Sequence, residues 1–313
     1  MSFIITGTGS FLPEPLLTNA DLEKMVETSD DWIRSRTGIE TRHIAHEMSV
    51  VDLSVQAARK ALSQSGRSPE DIRCIICATI STETLVPSLA SCVQREIGAF
   101  CPSFDINAAC SGFLYALRVA MGFVQDGPVL VIGAEKLSRL TDWDDRSTCI
   151  LFGDAAGAAV LEAGDGLEHI FVNGYPDVEN LLGCEGVNAG LEDGALRKAV
   201  ITMKGQEVYK FATQIVPSMI REACEAVGIE MEEIDWFLPH QANKRIIDSA
   251  SHRIKVPLEK FYINIQNVGN TSAASIPVAL DEMNRAGLLK RGDRLAIMGF
   301  GGGLTAGCAL MKW

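Results

Sequence analysis

Three short stretches, far apart in the chain, each contain one side chain suited to acyl-transfer chemistry. A cysteine can carry an acyl group as a thioester, and an imidazole and a carboxamide can donate hydrogen bonds to an oxyanion that develops beside it. These side chains are Cys110 in residues 107–112 (NAACSG), His240 in 239–243 (PHQAN) and Asn270 in 267–275 (NVGNTSAAS). Together with a glycine-rich stretch at 300–303, they predict Claisen condensation chemistry.

The setting of Cys110 permits two interpretations. The residue follows a predicted strand over 102–107 and precedes a predicted apolar helix over 111–124. The positive end of a helix dipole favours thiolate over thiol, so we expect Cys110 to ionise readily and act as a nucleophile. The alternative is a small buried cysteine between strand and helix, because free cysteine is among the most buried residue types.

His240 and Asn270, each considered alone, also permit two interpretations of their roles. His240 closes a predicted apolar strand over 234–238 and is followed by polar residues, which is typical of a cleft but also of a turn histidine with a satisfied hydrogen bond. Asn270 precedes a predicted helix over 276–284, where it could cap the helix or occupy a turn. Its functional role would be to donate an N–H to a developing oxyanion.

The elements that must position these residues alternate between strand and helix patterns, which predicts an α/β fold. One helix is expected over 52–65, ending at Gly66, and another from Ala20, capped by Thr18 or Asn19 with Glu23 in a capping box. The segments that follow Gly66 and Gly228 resemble each other, as do two later pairs at nearly the same offset.

We therefore predict two similar halves, residues 1–165 with the cysteine and residues 166–313 with the histidine and asparagine. Ligands of open α/β sheets gather outside the carboxyl ends of the strands. The site is accordingly expected where the two halves meet.

Composition restricts the class of protein. The chain has 313 residues, of which 47% are hydrophobic, and a formal net charge of −12, which argues against nucleic acid as a partner. It contains no run of about 18 apolar residues of the kind that spans a membrane. Its N-terminal residues lack the features of a signal peptide, so a cytoplasmic location is expected.

The cysteines and glycines predict neither a metal site nor a nucleotide cofactor. Nine cysteines are scattered singly, and Cys74 and Cys77 lie in a predicted strand where residues three apart point to opposite faces. A disulfide framework is not expected. Residues 7–9 lack the third glycine of a dinucleotide fingerprint, the glycine cluster lacks a phosphate-binding lysine, and no GxSxG elbow is present.

Eight segments together resemble β-ketoacyl-acyl-carrier-protein synthase III, the initiating condensing enzyme of type II fatty acid synthesis. They are residues 7–13, 18–22, 32–39, 108–113, 152–160, 239–243, 269–275 and 300–303, which span essentially the whole chain. The resemblance implies the thiolase fold, in which two duplicated α/β halves form an αβαβα five-layer sandwich. It also implies a cytoplasmic homodimer that uses acyl-CoA and malonyl acyl carrier protein as substrates, without a cofactor or metal.

The resemblance further implies roles for residues of the reaction centre. Cys110 matches the nucleophile that takes the acyl primer from acyl-CoA, and its N–H and that of Gly302 match an oxyanion hole. His240 and Asn270 match the pair that binds the malonyl thioester carbonyl and stabilises the enolate formed as CO₂ leaves. Phe300 matches an aromatic residue near the active site.

Binding residues follow from the same resemblance. Trp32 and Arg146 match residues that sandwich the CoA adenine, although Trp32 alone would be interpreted as a half-exposed helix residue. Further matches are Thr28 and Arg36 at the CoA head, Gly205 and Asn243 in the pantetheine channel, and the carrier-protein docking residues Gln241, Ala242, Asn243, Lys244 and Arg245. Lys244 and Arg245 would meet an acidic helix of the carrier protein.

Two departures from the family pattern bear on substrate choice. Val86 stands where many acetyl-preferring members carry a phenylalanine that floors the primer pocket from the partner subunit, so the primer is acetyl-CoA or, because the smaller side chain leaves room, a branched or longer acyl-CoA. Residues 181–199 also differ, near the entrance. A related condensing enzyme of secondary metabolism, a type III polyketide synthase and a non-catalytic carrier-binding subunit remain as alternatives.

Overall fold

The computed structural model describes residues 2–185 and 199–313. Its strands are β1 (Phe3–Phe11), β2 (Leu16–Thr18), β3 (Thr41–His43), β4 (Cys74–Ala78), β5 (Ser103–Ile106), β6 (Val129–Lys136), β7 (Asp154–Ala163), β8 (Leu167–Gly174), β9 (Leu182–Cys184), β10 (Ile201–Met203), β11 (Trp236–Pro239), β12 (Arg294–Gly301) and β13 (Thr305–Lys312). Its α-helices are α1 (Asn19–Leu22), α2 (Asp30–Thr37), α3 (Val50–Ser65), α4 (Leu89–Ile97), α5 (Gly112–Ala120), α6 (Arg146–Cys149), α7 (Gly205–Val227), α8 (Lys244–Ile254), α9 (Ile265–Val268) and α10 (Ser275–Arg285).

Two sheets repeat one strand order. The first runs β1-β7-β6-β4-β5 and the second runs β8-β13-β12-β11. In each sheet the first two pairings are antiparallel and the third is parallel. A parallel bridge from Phe237 to Phe261 stands in the second sheet where β5 stands in the first. The duplication expected from the sequence is therefore present in the topology, while the boundary at residue 165 stays a prediction.

The helices cover both sheets in layers. Helices α3 and α4 pack on the outer face of the first sheet, and α7 and α8 pack on the outer face of the second. Helices α5 and α10 lie between the sheets and share one apolar core with both. This arrangement is the five-layer αβαβα sandwich predicted above. The alternation along β4 places Cys74 in the inner core and Cys77 in the outer one, so the two thiols point to opposite faces.

Local signals set several helix ends. Helix α3 begins after Ser49, whose hydroxyl accepts the N–H of Asp52, and ends at Gly66 in the left-handed region with φ 70°. The predicted end is confirmed, and the helix starts two residues before the prediction. Glu23 as the partner in the capping box of α1 is wrong. The helix begins at Asn19, so its third residue, Asp21, closes the box with Thr18.

The helix predicted over 111–124 is shorter and begins differently. A 3₁₀ turn, Ala109–Ser111, precedes α5, and Ala109 has a positive φ of 46°. A second 3₁₀ turn, Ser272–Ala274, precedes α10 in the other half, and Ser272 has a positive φ of 48°. Two strained turns therefore face each other at the entry points of the two central helices.

Candidate active site

The three predicted reactive residues line one cavity of about 840 Å³. Cys110 follows β5, His240 follows β11 and Asn270 precedes the turn into α10, so each lies where a strand ends or a central helix begins. Phe300 and Gly302, at the end of β12 and just after it, line the same cavity. The expected convergence of residues from both halves is thus present in the structure.

Cys110 sits in the 3₁₀ turn and is only 9% exposed. Burial raises the pKa of its thiol to about 12, with a smaller contribution from the negative charge of Glu135. This direction is opposite to the ready ionisation that we expected from the helix N-terminus. On burial the thiolate loses more hydration free energy than it gains from the N-terminus of the nine-residue helix α5.

His240 is fully enclosed and neutral. Its backbone N–H donates to the carbonyl of Met298 at 2.8 Å, which fixes it to β12. Burial lowers the pKa of the ring to about 3. Its Nε2 has no hydrogen-bond partner in the part of the chain that the structure describes, whereas Nδ1 lies 2.6 Å from the Ser275 hydroxyl. The edge of the ring also contacts Phe300, with centroids 5.4 Å apart.

Hydrogen bonds fix both the main chain and the side chain of Asn270. Its N–H donates to the Leu151 carbonyl at 2.9 Å, and its carbonyl accepts from Gly153 N–H at 3.0 Å. Its side-chain Oδ1 accepts the N–H of Ser272 at 2.9 Å. Because Oδ1 is engaged, the carboxamide presents Nδ2 as the donor on its other arm. Asn270 therefore occupies a turn, which was the alternative interpretation, and still has an N–H that it can donate to a substrate oxygen.

The glycine-rich stretch allows the backbone to approach Cys110 closely. A Cβ atom at Gly301 would lie 2.6 Å from the Cys110 nitrogen, so a side chain at this position would collide with the turn. A Cβ at the neighbouring Gly302 would lie 3.6 Å from that of Ala109. The predicted oxyanion donors, the N–H groups of Cys110 and Gly302, thus belong to two segments in contact.

Four residues predicted at the CoA head lie outside the cavity lining: Thr28, Trp32, Arg36 and Arg146. The Arg146 guanidinium lies over the Trp32 ring, 5.0 Å from its centroid, so the two stack on each other rather than leaving a gap for adenine. Among the described residues, the buried hydroxyl of Thr28 has no hydrogen-bond partner. The Arg36 carbonyl accepts from Asn243 Nδ2 at 3.0 Å, which joins this group to the rim of the cavity. Gly205 and Asn243 line the cavity, as expected.

The segment predicted to dock the carrier protein, residues 241–245, contains both buried and exposed side chains. Gln241 is completely buried, and its side chain bonds to the carbonyls of Pro239 and Tyr262 and to the N–H of Asn264, so it braces the segment and cannot touch a partner. Assigning Gln241 to the docking surface was wrong. Ala242 lines the cavity and Asn243 caps α8.

The two cations of this segment are differently engaged. Lys244 forms an ion pair with Asp248, with nitrogen–oxygen distances of 2.8 and 2.9 Å. The Arg245 guanidinium lies over the ring of Tyr209, 5.2 Å from its centroid, and the Tyr209 ring lines the cavity. The charge of Arg245 is therefore the one more available to an acidic partner.

Two further expectations concern the cavity walls. Val86 is 87% exposed and does not line the cavity of its own chain, whereas its neighbour Leu85 does. Of the divergent stretch 181–199, residues 186–198 lie outside the described residues. Leu182, Gly183, Cys184 and Ala199, on either side of them, line the cavity.

Three polar residues of the site were missed from the sequence. Ser275 bonds to His240, Ser272 holds Asn270, and Glu135 lies beneath Cys110. A charged residue near the end of the apolar segment 129–136 was the available signal for Glu135. The two serines stand in the segment already singled out for Asn270, but their partners are distant in sequence.

Within the described ranges, no helix is long and apolar enough to cross a membrane. The same residues contain no group of three or more histidine, cysteine, aspartate or glutamate side chains arranged to hold a metal ion.

Comparison with known proteins gives a consistent result. Residues 104–173 match the family described as 3-oxoacyl-[acyl-carrier-protein (ACP)] synthase III, and residues 224–313 match its C-terminal family. The chain is 45% identical to a beta-ketoacyl-[acyl-carrier-protein] synthase III of Clostridium acetobutylicum, over 99% of this chain and 98% of the relative.

Solved structures resemble it equally closely. The crystal structure of 3-oxoacyl-[acyl-carrier-protein] synthase III from Aquifex aeolicus VF5 superimposes with a TM-score of 0.93 at 44% identity, covering all of both chains. The priming beta-ketosynthase of the R1128 polyketide biosynthetic pathway gives a TM-score of 0.93 at 33% identity, over 99% of this chain and 96% of the other.

Proposed function

The chain belongs to the β-ketoacyl-acyl-carrier-protein synthase III family, and from that premise we propose how its own residues carry out the reaction. The resemblance predicted from sequence, the thiolase fold and the assignment as the acyltransferase that initiates fatty acid synthesis are confirmed by the full-length similarity. The observation that carries the assignment of roles is that Cys110, His240 and Asn270 line one cavity.

The first half-reaction forms an acyl-enzyme. The Cys110 thiolate attacks the thioester carbonyl of acyl-CoA, and a tetrahedral intermediate with a negative oxygen results. The N–H groups of Cys110 and Gly302 bind that oxygen. The close approach that Gly301 permits to the Cys110 nitrogen supports this role. Collapse of the intermediate expels the CoA thiolate and leaves the primer on sulfur.

The second half-reaction forms a carbon–carbon bond. His240 Nε2 and Asn270 Nδ2 donate to the thioester oxygen of malonyl acyl carrier protein. When CO₂ leaves, negative charge moves onto this oxygen, and two donors already fixed in place stabilise it without reorganisation. The resulting carbanion attacks the acyl group on Cys110 and releases the β-ketoacyl carrier protein. Neither half-reaction requires a cofactor.

The substrates' larger parts bind around the rim. The CoA adenine is placed at Trp32 and Arg146, where an indole and a guanidinium suit a purine face. Because the Arg146 guanidinium stacks on the Trp32 ring, enclosing an adenine between the two side chains would require Arg146 to move off the indole. Gly205 and Asn243 border the channel for pantetheine, and Arg245 faces the carrier protein.

A homodimer is proposed from exposed apolar side chains around one sheet edge. Leu85 and Val86 are 81% and 87% exposed, and Phe100 is 97% exposed. They flank β5, the edge strand of the first sheet, which pairs only with β4 within the described parts of the chain. A second copy would cover these side chains and place its Val86 near the primer pocket.

A cytoplasmic location is part of the proposal. All nine cysteines are free, which is expected in a reducing compartment. Of the alternatives, the non-catalytic subunit is excluded by membership of an enzyme family with all three reactive residues present. The higher identity to the fatty acid enzyme than to the polyketide priming enzyme, 45% against 33%, favours fatty acid synthesis.

The roles are tested by separating the two half-reactions. Incubation with a panel of acyl-CoAs should add one acyl group to Cys110, detected by mass spectrometry, and Cys110→Ala should abolish it. His240→Ala and Asn270→Ala should still acylate but should lose about 100- to 1,000-fold in condensation with malonyl acyl carrier protein. Condensation at the full rate in either variant would show that the donor pair is wrongly assigned.

A further inference from the structure

Glu135 places a buried carboxyl group close enough to the reactive cysteine for its charge to act on the thiol. It lies near the end of β6, on the inner face of the sheet, and is 0% exposed. Its Oε2 accepts from the Thr79 hydroxyl at 3.3 Å, the Ile80 N–H at 3.2 Å and the Ser81 hydroxyl at 2.5 Å. Its Oε1 is buried and accepts no hydrogen bond from residues 2–185 or 199–313. One oxygen of this carboxyl is therefore not engaged by the described fold.

Ser272 begins a 3₁₀ turn that packs against both β6, which carries Glu135, and the turn that carries Cys110. Its hydroxyl is buried, forms no hydrogen bond within the described residues, and lowers the pKa of both Cys110 and Glu135. The residue is held in the left-handed region with φ 48°, a conformation that costs free energy in a serine. Its backbone N–H is already bound to the Asn270 side chain, so the hydroxyl alone is available for another purpose.

The charges of Glu135 and Cys110 oppose each other. Burial raises the pKa of Glu135 to about 7, and the negative charge of Glu135 helps to raise the pKa of the Cys110 thiol. Two negative charges this close in a water-poor interior disfavour each other. Moving the thiol proton to the carboxylate keeps a single negative charge in the pocket and only changes its position.

We propose that Ser272 and Glu135 form a proton relay for Cys110, an inference that rests on the acyl-transfer function proposed above. As the Cys110 sulfur bonds to the thioester carbon, its proton passes to the Ser272 hydroxyl and the serine proton passes to Glu135. The sulfur–carbon bond to CoA then breaks, and the CoA thiolate takes a proton from water. Condensation later frees the Cys110 thiolate, which recovers the stored proton from Glu135 by the reverse path.

Few charged groups surround this carboxyl. On the inner face, β4 and β7 contribute Ala78 and Ala155, and the two 3₁₀ turns contribute Cys110 and Ser272. Of the cations that follow Glu135, Lys136 donates to the carbonyls of His46 and Met48, and Arg139 donates to those of Ser81 and Thr82. The charge of Glu135 acts on the Cys110 thiol. Because Glu135 acts through Cys110 and touches no substrate, it is a positioning residue.

The test measures acylation of Cys110 by acyl-CoA alone, by rapid quench and mass spectrometry, as a function of pH. The wild type should accelerate as the pH rises through about 7 and then level off, because the relay needs ionised Glu135. Glu135→Gln should lose about 100-fold near pH 7, the usual contribution of a positioned base, and should instead keep accelerating into alkaline pH. Ser272→Ala should behave likewise.

Two controls separate the relay from a structural role. Ser81→Ala removes a hydrogen bond to Oε2 but not the path to Cys110, so its profile should still level off, at a higher pH because that hydrogen bond lowers the pKa of Glu135. Ser272→Gly removes the hydroxyl while accepting the positive φ, so it should match Ser272→Ala. Thermal unfolding shows whether each variant folds. If Glu135→Gln does not fold, the pH profiles of the two Ser272 variants test the relay instead.

The relay is refuted if both the Glu135 and Ser272 variants acylate at the wild-type rate, or if Glu135→Gln keeps the levelling near pH 7. It is also refuted if Ser81→Ala reproduces the Glu135→Gln profile, since both would then act through the fold. A wild-type enzyme that does not acylate Cys110 at all would count against the proposed function instead.

Discussion

His240 Nδ1 lies 2.6 Å from Ser275 Oγ, and this contact determines which ring nitrogen carries the proton. The same hydroxyl oxygen lies 3.4 Å from the N–H of Gln241, which donates to it. Among the described residues, Nδ1 is the only acceptor within hydrogen-bond distance of this hydroxyl, so we assign the hydroxyl as the donor to Nδ1. A neutral ring that accepts at Nδ1 must carry its proton at Nε2, which has no partner in the described part of the chain. Ser275 thus makes His240 a donor toward the substrate.

Ser275→Ala should weaken this donor without removing it. The ring would lose a hydrogen bond worth about 1 kcal/mol and would populate the other tautomer, so condensation should fall roughly tenfold. Acylation of Cys110 should change little. Ser275→Thr, which keeps the hydroxyl, is the matched control and should recover most of the rate. An unchanged single-turnover condensation rate in Ser275→Ala would mean that the tautomer is fixed by other means.

The depressed pKa of His240 predicts a condensation step that is insensitive to mild acid. The folded pKa is about 3, against 6.5 for an ordinary histidine, so the ring stays neutral. Single-turnover condensation from pre-acylated enzyme should therefore be flat between about pH 6 and about pH 8. An acid limb centred near 6.5 in this half-reaction would contradict the assignment. The acylation step, in contrast, is expected to titrate through Glu135.

The same pKa difference predicts an effect on stability. Between about pH 3 and 6.5 the unfolded chain binds a proton at this histidine that the folded chain refuses. Its contribution to the free energy of unfolding is thus complete above pH 6.5 and is lost progressively as the pH falls toward 3. Urea unfolding of wild type and His240→Gln should show a shallower acid loss in the variant. Parallel curves would contradict this linkage.

Much of the fold was predictable because its signals are local. Gly66 ends α3 through its own backbone conformation, and the alternation of strand and helix repeats in both halves. The meeting of Cys110, His240 and Asn270 was also predictable, because each follows a strand or precedes a central helix and such ends gather at one edge. The family resemblance then supplied their roles.

The properties that were not predictable depend on packing between distant segments. The ionisation of Cys110 is governed by burial, which is a property of the whole fold and not of the adjacent helix. Gln241 stands among docking residues in the sequence but is enclosed by contacts with Tyr262 and Asn264. The family resemblance paired Arg146 with Trp32, but their direct stacking depends on packing between two distant segments.

The two cations after Asn243 predict unequal effects on the carrier protein. Arg245 rests on Tyr209 with its charge unpaired by a carboxylate in the described chain, whereas Lys244 is paired with Asp248. Arg245→Ala should raise the KM for malonyl acyl carrier protein several-fold, with an effect that shrinks at high salt. Lys244→Ala is the matched control and should change KM less. Equal effects would show that the Lys244 pair opens on binding.

The exposed Val86 predicts how the primer range can be narrowed. If a second copy covers this side chain, it becomes a floor of the partner's cavity, and its size limits primer length. Val86→Phe should reduce kcat/KM for isobutyryl- and octanoyl-CoA by about tenfold or more while leaving acetyl-CoA nearly unchanged, since a filled apolar pocket excludes added methylenes. Val86→Ile, with a smaller increase in volume, should give an intermediate range. Strict acetyl preference in the wild type, or a Val86→Phe variant that extends octanoyl primers as well as the wild type, would place the floor of the pocket elsewhere.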